Sequence, residues 1–154
     1  VGSLSKTYSL PGLRVGWVVG RLDLINEINH QRQYNTISIS ALDDYFAAIA
    51  IENRDFIAGR NLKIMRNGVD ILKKWLENNP KMDCILPIGG TTVLLKYNLD
   101  VPSKIFCRDL QKTTGVALLP GETLEMEGFV RLGFCADNLE PALNCISDFV
   151  SKNY

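Results

Sequence analysis

The chain has 154 residues, 46% of them apolar and 22% charged, and its 17 basic residues balance 17 acidic ones. That length holds one good core, or one small domain plus part of a second, and the composition is that of an ordinary globular protein. The even charge, with no run of one sign, argues against a nucleic-acid partner or a polybasic membrane patch, and the apolar stretches fall short of a bilayer span.

In chain order, residues 14–20 form a β-rich run between glycines and read as a strand. Asp23 is placed to cap a helix that carries Leu24, Ile25 and Ile28 and runs to about Tyr34. The β-branched, hydroxyl-rich residues 35–40 break that periodicity, so a loop is expected there, with a helix starting at Ser38 or Ser40. Residues 41–51, rich in Ala, Phe and Ile, read as a mostly buried helix. A long amphipathic helix follows over 55–78, with Ile57, Leu62, Ile64, Met65, Val69, Leu72 and Leu76 near helical spacing, and Asn79-Pro80 stops it.

Beyond that point the pattern changes. Residues 82–87 and 91–97 read as strands joined through Gly89-Gly90. Pro102 opens a helix to about Thr114, with Gly115 as its C-terminal cap. Residues 116–119 read as a short strand, Pro120-Gly121 as a turn and 129–134 as another strand. Asp137 or Asn138 then caps a final helix to about Lys152. The succession predicts an α/β fold with an α+β second part and a boundary at residues 52–56.

The four cysteines, Cys84, Cys107, Cys135 and Cys145, show neither CxxC nor Cys/His ligand spacing, and His30 is the only histidine. Neither a zinc site nor a disulfide framework is expected, but reduced, mostly buried thiols in a cytosolic protein. No signal-peptide layout opens the chain. His30, beside Gln31 and Arg32, reads as a surface residue, and Trp17 and Trp75 read as core.

The chemistry concentrates in Ser3-Leu4-Ser5-Lys6-Thr7-Tyr8-Ser9-Leu10-Pro11-Gly12-Leu13-Arg14-Val15-Gly16. A lone lysine is ordinarily a solvated charge. Here it is joined by groups that suit an anionic, carbonyl-bearing partner. An imine-forming lysine must shed its proton, whereas a phosphate asks for hydroxyls, backbone N–H groups and an arginine fork. Ser3 and Ser5 supply hydroxyls, Gly12 permits a tight turn, and Arg14 supplies the fork.

This segment resembles the pyridoxal-phosphate attachment segment of class I/II (fold type I) aminotransferases, and its Pro-Gly-Leu-Arg-Val-Gly-Trp ending is typical of them. The resemblance implies pyridoxal 5'-phosphate as cofactor. It makes Lys6 the Schiff-base lysine, which then shuttles a proton between the substrate Cα and the cofactor. Arg14 and Ser3 would hold the phosphate.

A second constellation lies in Phe129-Val130-Arg131-Leu132-Gly133-Phe134. Strand periodicity sets Arg131 and Gly133 on one face, and a charge in an apolar strand calls for a partner. From the residues alone, pairing with Glu122, Glu125 or Glu127 is one reading. The stretch from Gly115 to Phe134 also resembles the small-domain segment of the same aminotransferases, where the matching arginine takes the substrate α-carboxylate.

The resemblance covers nearly the whole chain but only the C-terminal part of the family's fold. It implies that residues 1–54 are the remnant of the large cofactor-binding domain and residues 55–154 the small domain. The expected function is amino-group transfer between an amino acid and a 2-oxo acid, in a cytoplasmic homodimer without nucleic-acid or membrane partners. A decarboxylase, C–S lyase or acyl-CoA-dependent synthase on the same scaffold, or a non-catalytic stand-alone small domain, are the alternatives. Val1 in place of Met and a catalytic motif at residue 6 lead to the expectation of a fragment. In the family, the acidic partner of the pyridine nitrogen and the ring stacker lie upstream of the lysine.

Overall fold

The computed structural model describes residues 1–154 and divides into two compact units, Val1–Lys63 and Ile64–Tyr154. In the first unit the segment around the Pro-Gly turn folds back on itself. Strands β1 (Gly2–Ser3) and β2 (Gly16–Trp17) pair antiparallel, Gly2 opposite Trp17 and Ser3 opposite Gly16. Between them lie the one-turn helix α1 (Leu4–Thr7) and a 3-10 turn at Pro11–Leu13. The strand expected over 14–20 is therefore cut to two residues. Arg14 adopts a left-handed backbone conformation (φ 52), which interrupts any extended run.

Helix α2 (Leu22–Arg32) starts before the expected cap: Arg21 holds the N-cap position without a side-chain bond. Asp23 lies in the first turn, paired with Arg21 at 2.8 Å, where a carboxylate favours the positive helix end. Helix α3 (Ala41–Glu52) begins as a hydroxyl cap requires, with Ser40 Oγ accepting the Asp43 N–H at 3.4 Å. The expectation of a mostly buried helix is corrected, since only Ala47 and Ala50 are buried. The Pro11–Leu13 turn is what packs against α3, and so small a partner covers a narrow stripe of an all-round apolar helix. Helix α4 (Arg54–Glu77) spans 24 residues, and the division between the units falls within it.

The second unit is a four-stranded antiparallel sheet with helices on one face. Its strands are β3 (Met82–Asp83), β4 (Thr92–Tyr97), β5 (Leu119–Pro120) and β6 (Phe129–Gly133), in spatial order β3-β4-β6-β5. Val93, Leu95 and Tyr97 alternate with Thr92, Leu94 and Lys96, and Val130 and Leu132 alternate with Phe129, Arg131 and Gly133. The first set in each strand is buried. Against that face pack helix α5 (Ser103–Thr114), helix α6 (Leu139–Asn153) and the later turns of α4, through Phe106, Leu110, Leu143, Ile146, Leu72 and Trp75. Burying each large side chain contributes about 1.5–3 kcal/mol. The Phe106 and Tyr97 rings stack with centroids 5.1 Å apart.

The strand expected over 82–87 stops at Asp83, because Tyr97 and Lys96 supply β3 with just two partner positions. The strand expected at 116–119 forms later, as Leu119–Pro120. Gly115 ends α5 with φ 79, a conformation that favours glycine, as its capping role demands. The four cysteines are free; Cys107 is buried and the other three are half-buried. No helix is long and apolar enough to cross a membrane.

Candidate active site

The loop that carries Lys6 is closed by backbone hydrogen bonds. The Leu4 N–H donates to the Val15 carbonyl at 3.1 Å, the Leu10 N–H to the Leu4 carbonyl at 3.1 Å, and the Ser9 N–H to the Lys6 carbonyl at 3.2 Å. Leu4 is fully buried and anchors α1, while Lys6 is exposed. Closure requires left-handed backbone at Ser9 (φ 56) and Arg14 (φ 52), and such strain costs about 1 kcal/mol or more per residue.

The strained bend is what turns Arg14 back over the loop. Its Nη1 donates to the Pro11 carbonyl at 2.9 Å and lies 3.5 Å from Ser5 Oγ. Ser3 Oγ accepts the Ser5 N–H at 3.0 Å, so its own hydroxyl hydrogen stays available to an acceptor. Ser3, Ser5, Lys6 and Arg14 thus sit on one closed loop. Residues 1–22 contain no Asp or Glu. The chain's three ion pairs (Arg21–Asp23, Arg54–Asp55 and Arg108–Asp109) leave Lys6 and Arg14 uncompensated. A cationic loop without an acid attracts an anion.

Trp17 is not the core residue expected. It is 39% exposed, meets Tyr8 edge to face with centroids 6.4 Å apart, and covers Gly2, where any Cβ would collide with its ring. Asn61 on α4 escaped the sequence reading. Its Nδ2 donates to the Thr7 carbonyl at 2.8 Å, next to Lys6. The available signal was a polar residue on an apolar stripe, in step with Ile57 and Ile64.

Arg131 belongs to the second unit. It lies mid-strand in β6, opposite Leu94 of β4 and Leu119 of β5, on the sheet face away from the core and shared with Gly133 and Thr92. The ion pair with Glu122, Glu125 or Glu127 is not made. Glu127 is engaged elsewhere: its carboxylate accepts the Ser103 N–H at 2.5 Å, the Ser103 hydroxyl at 3.0 Å and the Tyr97 hydroxyl at 3.2 Å. Those bonds, the Ser103 N–H foremost, hold its pKa below the ordinary value. The Arg131 guanidinium is exposed and free for an external carboxylate.

Residues 1–145 match the family profile described as Aminotransferase class I and II. The chain belongs to this family. Class I and II aminotransferases use pyridoxal 5'-phosphate, and the loop fits it: an exposed amine for an aldehyde, with a guanidinium and hydroxyls beside it for a phosphate. Capreomycidine synthase of Streptomyces vinaceus is 34% identical over 150 residues, covering 96% of this chain and 39% of that protein. Aspartate aminotransferase of Thermotoga maritima is 28% identical over 156 residues, covering 99% and 39%. Among solved structures, a PLP-dependent aminotransferase from Streptococcus suis superposes with a TM-score of 0.95 at 36% identity, over 97% of this chain and 41% of that one. The PLP-dependent cyclase OrfR gives 0.90 at 26% identity, over 99% and 42%. The chain spans about two fifths of the length of these relatives.

Proposed function

We propose that the protein to which this chain belongs transfers an amino group between an amino acid and a 2-oxo acid with pyridoxal 5'-phosphate. The observation that carries this reading is the closed, acid-free loop holding Lys6, Ser5 and Arg14 together. When bound, the cofactor supplies an electron-accepting ring for charge developing at the substrate Cα. Lys6 would hold the cofactor through its amine and afterwards move the Cα proton. Ser3 and Arg14, with Ser5 beside them, would hold the phosphate. Arg131 would take the substrate α-carboxylate in a bidentate pair and so fix the orientation of the amino acid.

Residues 1–54 are assigned to the large cofactor-binding domain and 55–154 to the small domain, in a cytoplasmic homodimer. In the full-length protein, Lys6→Ala should abolish the cofactor's imine absorbance and all turnover; retained turnover refutes the assignment. Arg131→Lys should raise KM for the amino acid with a smaller effect on kcat, because a point charge does not replace the planar fork.

A second reading is favoured by the identity to capreomycidine synthase and the likeness to the cyclase: elimination or ring-forming chemistry on the same lysine and cofactor. Amino acid supplied without a 2-oxo acid acceptor separates the two. Transfer stops after one equivalent of 2-oxo acid per site, whereas lyase or cyclase chemistry keeps turning over.

A further inference from the structure

Asn61 and Ser103 are the polar side chains that the molecule buries. Ser103 is accounted for by the start of α5, where it meets Glu127. Asn61 has no such local duty. It lies mid-helix on α4, 8% exposed, on a stripe otherwise apolar. A carboxamide taken out of water must recover its hydrogen bonds, so its partners report what it is for.

Those partners divide by atom. Oδ1 accepts from Arg60 Nε at 3.2 Å and Nη2 at 3.1 Å, an adjacent residue on the same helix. Nδ2 reaches across the first unit to the Thr7 carbonyl, 54 residues away in sequence. Thr7 is the last residue of α1 and the neighbour of Lys6. A helix of four residues does not sustain itself, and its terminal carbonyls need outside donors. The Leu4 and Lys6 carbonyls are taken by the Leu10 and Ser9 N–H groups within the loop. The Thr7 carbonyl is taken by Asn61, the one side-chain hydrogen bond that links residues 3–16 to another element. At the far side of the loop Arg14 is already fixed to the Pro11 carbonyl at 2.9 Å.

We infer that Asn61 is a positioning residue for Lys6: by holding the Thr7 carbonyl it sets the amine against the anchored guanidinium of Arg14. The inference rests on the role given to Lys6 under the proposed function. Misplacing a reacting group by about 1 Å can cost about a hundredfold in rate, because the bound geometry is no longer one from which reaction proceeds. Arg131 stands on the second unit and is untouched by this contact.

The test uses the full-length, cofactor-loaded protein with Asn61→Ala, Asn61→Asp and Asn61→Gln. Aspartate keeps the size but replaces the donor facing Thr7 with an acceptor; glutamine keeps the donor on a longer arm. Asn61→Ala and Asn61→Asp should lower kcat by about tenfold or more, with KM for the amino acid within about twofold. The pH midpoint of the Lys6-dependent absorbance band should move by about half a unit or more, because the amine's surroundings change. Asn61→Gln should recover part of both. Variants that lose thermal stability while band midpoint and kcat stay at wild-type values overturn the inference and leave Asn61 a fold residue. Where the alanine chain does not accumulate, the comparison of aspartate with glutamine decides, and equal midpoints overturn it. A wild-type protein whose band does not depend on Lys6, checked with Lys6→Ala, removes the proposed role of Lys6 and this inference together; an unchanged band in the Asn61 variants removes this inference alone.

Discussion

In Ile64–Tyr154, seventeen buried side chains form one continuous cluster across a sheet and three helices. In Val1–Lys63, the buried apolar residues are Leu4, Ala47 and Ala50, and Leu22, Tyr45, Phe46 and Phe56 stand exposed. Lys6 and Arg14, the groups proposed to hold the cofactor, are on the sparsely packed unit Val1–Lys63. The two units are therefore held together by different means. The sheet unit is held by apolar area removed from water. The loop around Lys6 is held by individual hydrogen bonds and two left-handed residues, which specify position while adding little net stability.

The sharpest way to break this contrast is to remove equal rings from each side of it. Phe106 is fully buried, stacked on Tyr97 and edge-on to Phe149 at 5.8 Å. Phe106→Ala should cost about 3–5 kcal/mol, read as a fall in the denaturant midpoint followed by Trp75 fluorescence. Phe46 is 51% exposed on α3, and Phe46→Ala should stay within about 0.5 kcal/mol of the parent. Equal losses at the two sites would show that the α3 face is covered in solution, and the contrast would fall.

A smaller effect tests whether the dense unit also depends on polar contacts. Ser147 Oγ accepts the Trp75 indole N–H at 2.7 Å and donates to Asn79 Oδ1 at 2.7 Å, pinning α6 to the end of α4. Ser147→Ala strands the indole donor and should cost about 1–3 kcal/mol, with Ser147→Thr restoring much of it. Equal stability of the alanine and threonine chains would assign the pinning to packing alone.

Legibility followed the same divide. The α4 helix with the later part of its apolar stripe (Leu62 and Ile64 of the expected stripe stand exposed), the Gly115 cap, the Ser40 cap and the alternation around Arg131 were readable because each is a local pattern with a fixed period or a single demanding backbone angle. The motif at Lys6 pointed to a family and its cofactor but not to the shape of the loop. Nothing local announces that Ser9 and Arg14 turn left-handed, so the strand expected over 14–20 is reduced to a two-residue pairing. Long-range partners were the other blind spot. Asn61 with Thr7, and Glu127 with Ser103, join residues far apart in sequence through one and two hydrogen bonds respectively, which leave no periodic trace. Burial of α3 was overestimated because an apolar helix states what it could cover, not what reaches it.

The smallest effect expected is also the one with a definite sign in pH. Glu127 closes the second unit where β4, α5 and β6 meet, and its pKa lies below the ordinary 4.5. The Ser103 N–H is the main cause, partial desolvation opposes it, and the Ser103 hydroxyl, the Gly128 N–H and the Tyr97 hydroxyl add to the lowering. The folded chain thus binds this proton less readily than the unfolded chain. The stabilisation is complete above the unfolded value and fades as pH falls through the folded one. Its negative charge also helps burial lift the Cys107 thiol to about 11. Glu127→Gln should lower Tm modestly at neutral pH, and the gap between the two chains should narrow as pH drops below about 4.5. Parallel Tm profiles across that window would show that the bonds to Ser103 do not depend on the carboxylate charge. The cohesion of the second unit would then owe nothing to this carboxylate charge, and its difference from the cationic loop around Lys6 would be sharper still.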